Sequence, residues 1–254
     1  MSDFHVAICT PSTGHCRTSF AFSLARLTGY LAQRKPRPEL NTWSFDFLML
    51  ESSGISTNRE KLTRQALSLT EMTHVLWLDD DMGFGHDVLH LLARWRQPIV
   101  GCNYRMRAPP GQFTAVRGDM VGRIETTPDS TGIEPAAYTG FGCCLIERRV
   151  LEAVPEPRYP LFWSEAHQDY STEDVPFFEA ARKLGFPVYV DHDASKRIWH
   201  CGNLNYVWDQ DYSKLTSIVG IARNEDMKPD TIGFARQHDA LVKEAAAEIA
   251  ATTK

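Results

Sequence analysis

The sequence predicts an α/β fold: a mainly parallel sheet flanked by helices, followed by a less regular second half. Three observations carry this. The first hundred residues alternate strand, helix, strand, helix, strand, the pattern of right-handed crossovers in a parallel sheet. The candidate strands are short, strongly apolar runs. The most polar motif of the chain, Asp79-Asp80-Asp81, stands at the end of one of these runs, where open α/β sheets bind their ligands.

The elements follow in order. Residues 5–10 (HVAICT) read as a buried strand that ends at Pro11, and residues 12–15 as a polar turn. Phe20, Leu24, Leu27 and Leu31 recur at helical spacing across residues 18–33, one apolar stripe of a helix. Residues 34–41 carry two prolines and read as a loop; residues 42–50 are a second strand, rich in Trp and Phe. Ser56 is placed to cap a helix running through Leu69. Residues 74–78 (HVLWL) form a third strand that runs into the aspartates. A helix over residues 87–95 and a strand over 98–102 complete this half.

Beyond it, residues 103–135 are an excursion of weak periodicity. Residues 141–146 form a buried strand behind Thr139-Gly140, and residues 160–172 a polar, aromatic loop. An amphipathic helix spans 173–184 and stops at Gly185. Short strands fall at 188–190 and 195–200, and an Ala- and Glu-rich helix at about 231–251. The expected organisation is one domain over 1–254: a ligand-binding half (1–102), a catalytic half (103–203) and a helical tail (204–254).

Composition narrows the function classes. The 254 residues are 43% hydrophobic and 23% charged, an ordinary globular balance with enough chain for a sizeable core. A formal net charge of −5 argues against a broad basic face for duplex nucleic acid. No run reaches the roughly 18 apolar residues of a membrane span. The start lacks the pattern of a secretory leader. The six cysteines form no C-x-x-C pair, as in reduced, mostly buried thiols. The expectation is a cytoplasmic protein.

Four motifs can carry chemistry. Three adjacent carboxylates after an apolar strand repel one another unless a cation intervenes. On an extended chain Asp79 and Asp81 share a side and Asp80 takes the other, and two hard oxygen ligands suit Mg2+ or Mn2+ with phosphate oxygens completing the shell. A solvated turn is the plainer alternative. Glu173 and Asp174 open a helix, where acids complement the dipole, but a carboxylate fixed beside an aromatic loop also suits a general base. His200, in Trp199-His200-Cys201-Gly202, is either a structural strand-end histidine or a third metal ligand. Thr139-Gly140-Phe141-Gly142 either forms a bulge or lets backbone approach a ligand.

Taken together and in this order, these motifs resemble the glycosyltransferases of the GT-A fold, a Rossmann-like architecture. The resemblance covers roughly residues 4–203 and rests on LDDD (78–81), TGFG (139–142), TED (172–174) and WHCG (199–202). It is nearest in kind to the inverting family-2 type, including small soluble members from bacteria and their viruses. It implies a nucleotide-sugar donor, a UDP-sugar by default, and Mn2+ or Mg2+ held by Asp81, Asp79 and His200. It implies Asp174 as catalytic base, with Glu173 or the backbone of Gly140 and Gly142 touching sugar or acceptor. Asp79 and Asp80 would face the donor. Thr10, Pro11 and Ser12 would line the nucleotide pocket, with Glu51, Asn58 and Arg59 against base or ribose.

Trp163, Arg105 and Arg107 are the acceptor candidates, for a glycan, a small molecule or a hydroxymethylated DNA base flipped from its stack. Inversion by single displacement is the expected course, with retention as the alternative outcome. Two rivals stand beside this reading. A sugar nucleotidyltransferase would carry a Gly-rich basic loop after the first strand, where residues 11–15 hold one glycine. A non-catalytic nucleotide-sugar-binding module would be expected to lack one of Asp79, Asp81, Asp174 or His200.

Overall fold

A computed structural model describes residues 4–33, 43–107, 110–120, 122–161, 172–202 and 205–211, and the backbone of 163–164 and 169–170; all fall within one compact unit, Met1–Ser213. The chain runs β1 (Phe4–Ser12), α1 (Thr18–Gln33), β2 (Trp43–Glu51), α2 (Ile55–Ser68), β3 (His74–Leu78), β4 (Met82–Phe84), α3 (Val88–Ala93) and β5 (Ile99–Gly101). It continues through β6 (Val116–Arg117), β7 (Ile133–Tyr138), β8 (Cys143–Glu147), α4 (Arg148–Ala153), β9 (Trp163–Ser164) and β10 (Asp169–Tyr170). Last come α5 (Asp174–Lys183), β11 (Val188–Asp191), α6 (His192–Ser195), β12 (Ile198–Cys201) and β13 (Asn205–Tyr206).

Eight strands form one sheet in the order β2-β1-β3-β8-β5-β11-β7-β6. β1 pairs parallel with β2 and β3, and β5 parallel with β11. Only β8 and β7 run against the others. The sheet is therefore mostly parallel in sense, with β8 inserted antiparallel between β3 and β5.

Alternation along β1 explains the two-sided core. Val6 and Ile8 face a cluster with Phe20, Leu27 and Leu31 of α1 and Leu89 of α3. Ala7 and Cys9 face the opposite cluster, with Leu62 of α2, Val150 of α4 and Phe177 and Phe178 of α5. Successive strand residues point to opposite faces, and each fully buried large apolar side chain contributes roughly 1.5–3 kcal/mol. The sheet is thus held from both sides.

Several elements differ from the sequence expectation. β1 continues through Pro11 to Ser12, because Pro11 lies in register with Leu50 at a strand end. Ser56 does not cap α2. The N-cap is Gly54, with no side-chain capping bond, and the Ser56 hydroxyl donates instead to the Tyr159 carbonyl. The strand expected at 195–200 begins only at Ile198, because Ser195 closes α6: the Asp191 carboxylate accepts from the amides of Asp193 and Ala194 and starts a helical turn over His192–Ser195, a side-chain cap.

The excursion contains β6 and part of β7 and is organised by buried Asn103. Its side chain donates to the Ile124 carbonyl at 2.9 Å and accepts from the Ala115 amide at 3.0 Å. α5 ends as expected at Gly185, whose φ is +86°. Gly185 N–H donates to the Arg182 carbonyl and Phe186 N–H to the Ala181 carbonyl, which closes the last turn as a Schellman motif. The loop expected at 34–41 and the helix expected at 231–251 lie outside the described residues.

Candidate functional site

The carboxyl ends of β1 and β3 open into a cavity of about 620 Å³, walled by Pro11, Ser12, Thr13, His15, Cys16, Arg17, Ile55, Asn58, Asp79, Asp80, Asp81, Arg107 and His200. Of the residues expected from sequence, Pro11, Ser12, Asn58, the three aspartates, Arg107 and His200 are brought together here. Thr13, His15, Cys16, Arg17 and Ile55 were not singled out. The chain after β1 and the start of α2 are the signal that would have found them, since ligand cavities in such sheets extend over the loops that follow the strands.

The aspartates take three different partners. Asp79 follows β3, and its amide donates to the Gly142 carbonyl at 3.2 Å. Its carboxylate accepts from Nη2 of Arg59 at 2.8 Å. Burial raises the Asp79 pKa; Arg59 opposes the rise and Asp81 adds to it. Burial raises the Asp80 pKa, and the nearby Ser12 hydroxyl and Thr13 amide oppose the rise; the Arg17 amide donates to the Asp80 carbonyl at 2.9 Å, joining the loop after β1 to the loop after β3.

Asp81 faces Arg107 and His200 through one oxygen. Its Oδ2 lies 2.9 Å from Nη1 of Arg107 and 3.4 Å from Nε2 of His200. Burial alone would raise the Asp81 pKa, but His200 and Arg107 together outweigh it and hold it low.

His200 reaches Asp81 because of a small second sheet, β13-β12-β4. β4 begins one residue after Asp81 and pairs antiparallel with β12, setting His200 opposite Met82 and Trp199 opposite Gly83. The Trp199 indole lies on the Gly83 backbone, where a Cβ would come within 2.1 Å of the ring. The Cys201 amide donates to the Asp81 carbonyl at 2.8 Å.

The tautomer of His200 is also fixed. Nδ1 stands 3.1 Å from the Arg105 carbonyl, which can only accept, so Nδ1 carries the proton. In the neutral ring the Nε2 lone pair then faces Asp81 Oδ2. Two acceptors 3.4 Å apart need a proton or a cation between them. An octahedral ion with ligands at about 2.1 Å sets neighbouring ligands about 3 Å apart, and a carbonyl behind the histidine is the usual support of a metal-binding imidazole. Asp81 and His200 therefore fit a divalent ion. Asp79, expected as a third ligand, has one oxygen committed to Arg59. Among the described residues no group of three or more His, Cys, Asp or Glu side chains could hold a metal ion, so an ion at this pair would need further ligands from outside the chain.

Behind the cavity lies a buried ionic bridge. Arg59 is 1% exposed and donates from Nη2 to Asp79 and from Nε to Glu173 Oε1, at 2.8 Å each. Its guanidinium lies over the rings of Trp77 and Phe141, 5.1 and 4.8 Å from their centroids. Burial would depress the Arg59 pKa; Asp79 and Glu173 outweigh it and push it up.

Glu173 is thus occupied, while among the described residues no basic side chain is paired with its neighbour Asp174. The Asp174 carboxylate accepts from the Thr172 hydroxyl and, at 2.9 Å, from the Val175 amide. Burial raises its pKa to about 6.

Arg59, Glu173 and Asp174 are not among the cavity walls, and neither are Thr10, Glu51, Arg105, Gly140 or Gly142. Thr10 is fully buried. Glu51 ends β2 beside Gly14, where a Cβ would lie 2.8 Å from its carboxylate. Arg105 donates to the carbonyls of Gly111 and Trp208 and lies over Phe113. The space left by the two glycines is filled by Tyr104, whose hydroxyl would be 2.1 Å from a Cβ at Gly140 and 2.6 Å from one at Gly142. That hydroxyl accepts from the Gly142 amide at 3.0 Å. Asn58, although a wall residue, donates to the carbonyls of Ser12, Leu50 and Ser52 and so braces the ends of β1 and β2. The Trp163 side chain lies outside the described ones.

No protein-family model and no curated protein matches the sequence. Among solved structures the chain is similar to A197 from STIV, with a TM-score of 0.54, 15% identity, and 84% of this chain and 98% of that one covered. It is also similar to GalNAc-T7, crystallised with UDP, GalNAc and Mn2+, with a TM-score of 0.50 and 11% identity; 83% of this chain covers 46% of that one. At these identities the likeness shows the fold, an α/β sheet of the GT-A type.

Proposed function

We propose that the chain is a metal-dependent glycosyltransferase that moves a sugar from a nucleotide-sugar, a UDP-sugar by preference, to an acceptor hydroxyl with inversion. The observation that carries this is the Asp81–His200 pair, two acceptors aimed at one point inside a cavity large enough for a nucleotide. Asp81 and His200 would hold Mn2+ or Mg2+, with Asp79 beside them. The ion, when bound, neutralises charge on the leaving diphosphate.

The chain's own residues do the rest. Pro11, Ser12, Ile55 and Asn58 line the part of the cavity suited to base and ribose. Thr13, His15, Cys16 and Arg17 lead into α1, whose first amides favour anionic oxygens. Asp174 takes the proton from the acceptor hydroxyl, held in place by Thr172 and the Val175 amide. A pKa near 6 leaves it ionised at neutral pH yet basic enough to accept that proton. Glu173 serves through Arg59, keeping Asp79 and the start of α5 in one ionic unit.

The acceptor is a glycan, a small molecule or a hydroxymethylated DNA base. Six free cysteines suit a reducing, cytoplasmic setting, and among the described residues no helix is long and apolar enough to cross a membrane. The test is incubation with Mn2+ and a panel of nucleotide-sugars. Release of nucleoside diphosphate is expected; pyrophosphate chemistry, or saturable binding without turnover, overturns the reading. NMR of the product anomer checks inversion, and retention removes Asp174 as base.

A further inference from the structure

Arg107 stands at the position most at odds with a cation site. Its Nη1 is 2.9 Å from Oδ2 of Asp81, the same oxygen that faces His200. A guanidinium and a divalent ion cannot share that oxygen without strong like-charge repulsion. The arginine is also free to leave. Its side chain is 47% exposed, and it lies two residues beyond Arg105, which is fastened to Gly111, Trp208 and Phe113.

The same short segment thus addresses both ligands of the pair. The Arg105 carbonyl orients His200, the Met106 amide is tied to the Gln112 carbonyl at 2.8 Å, and the Arg107 side chain covers Asp81. Arg107 also walls the cavity, so a guanidinium displaced from Asp81 remains within the space a diphosphate would occupy, where it can meet phosphate oxygens.

We propose that Arg107 is a resident counter-ion: it neutralises Asp81 while the site is empty and moves to the donor's diphosphate when the divalent ion takes its place. This rests on the metal-dependent donor reading above. Ion and nucleotide then bind as a cooperative pair, because the nucleotide offers Arg107 a new partner and the ion makes it available. Arg107 is a positioning residue in this scheme, not an acceptor contact.

The experiment is Mn2+ binding followed by electron paramagnetic resonance of the free ion, with and without UDP, in the full chain and in Arg107→Ala and Arg107→Lys. The wild type is expected to bind Mn2+ weakly alone and more tightly with UDP. Arg107→Ala is expected to bind Mn2+ alone about tenfold more tightly, because a competing cation is gone, and to gain less from UDP. Arg107→Lys, which keeps a charge, falls between. Far-ultraviolet circular dichroism checks that the variants are folded. An Arg107→Ala affinity for Mn2+ alone that is unchanged or weaker overturns the counter-ion role and leaves the donor site standing. Absence of any Mn2+ or UDP binding by the wild type overturns both.

Discussion

Arg59 and Glu173, 114 residues apart in sequence, meet at 2.8 Å in the protein interior, and the same guanidinium holds Asp79. One side chain of α2 therefore couples the end of β3 to the start of α5. The bridge sits between Trp77 and Phe141, with little water to screen it. Removing one partner of a buried ionic pair leaves an uncompensated charge and costs about 3–5 kcal/mol. Arg59→Ala is accordingly expected to lower stability by that amount in urea unfolding. Arg59→Lys has one ammonium in place of a planar fork and should lose a good part of it. An unchanged midpoint for Arg59→Ala would show that the bridge is dispensable.

Asp174 gives a prediction with a defined sign. Burial lifts its pKa from 3.8 to about 6 in the folded chain. A base must be ionised, so kcat/KM should rise with pH through about 6 and level off above it. Stability moves the other way. Between those two values the folded state binds more protons than the unfolded one, so folding weakens as pH rises through the window. Above pH 7 the buried carboxylate is a net cost on the order of 1–3 kcal/mol. Asp174→Asn should therefore lower turnover by roughly 10²–10⁴-fold while raising the thermal midpoint at pH 7.5. A variant both active and less stable would contradict the assignment.

The strand end that carries the aspartates was legible because an apolar run stopped abruptly at three charges. The division of labour among the acids was not. Adjacent Glu173 and Asp174 look alike in sequence, and only the distant Arg59 decides which is neutralised. Gly140 and Gly142 read as a bulge or as a place where backbone approaches a ligand, and sequence could not say that Tyr104 would fill the space beside them. His200 could be suspected, but its approach to Asp81 depends on β4 and β12, strands of three and four residues, too short to show periodicity. Their register is set by a contact 116 residues long-range, Trp199 on Gly83.

That contact yields a third prediction. A methyl group at Gly83 would collide with the indole, at 2.1 Å from Cε2, and the collision falls on a large, packed ring that cannot step aside cheaply. Overpacking of this kind costs about 1–3 kcal/mol. Gly83→Ala should also shift β12 against β4 and draw His200 from Asp81. The Mn2+-dependent part of UDP binding should fall more than nucleotide binding measured in chelator. Isothermal titration with Mn2+ and with EDTA separates the two; equal losses would indicate general damage.

The ion pair of ligands can be tested without any acceptor. If Asp81 and His200 hold the ion that bridges to a diphosphate, UDP and Mn2+ together should raise the thermal midpoint more than either alone. A ligand at 100 times its Kd stabilises by about 2.7 kcal/mol. Asp81→Asn keeps shape and hydrogen-bonding atoms but removes the charge, and His200→Ala removes the imidazole lone pair. Each should abolish the joint shift. Asp81→Asn should leave the ligand-free midpoint close to wild type, since its Arg107 partner is half-exposed; His200→Ala also gives up the bond to the Arg105 carbonyl, so its joint shift is read against its own ligand-free midpoint. Asp80→Asn is the control. Its carboxylate lies near the Ser12 hydroxyl and the Thr13 amide, so that variant should keep the Mn2+ dependence while binding UDP less well. A full Mn2+-dependent shift in Asp81→Asn would place the ion elsewhere, and with it the chemistry assigned to this end of the sheet.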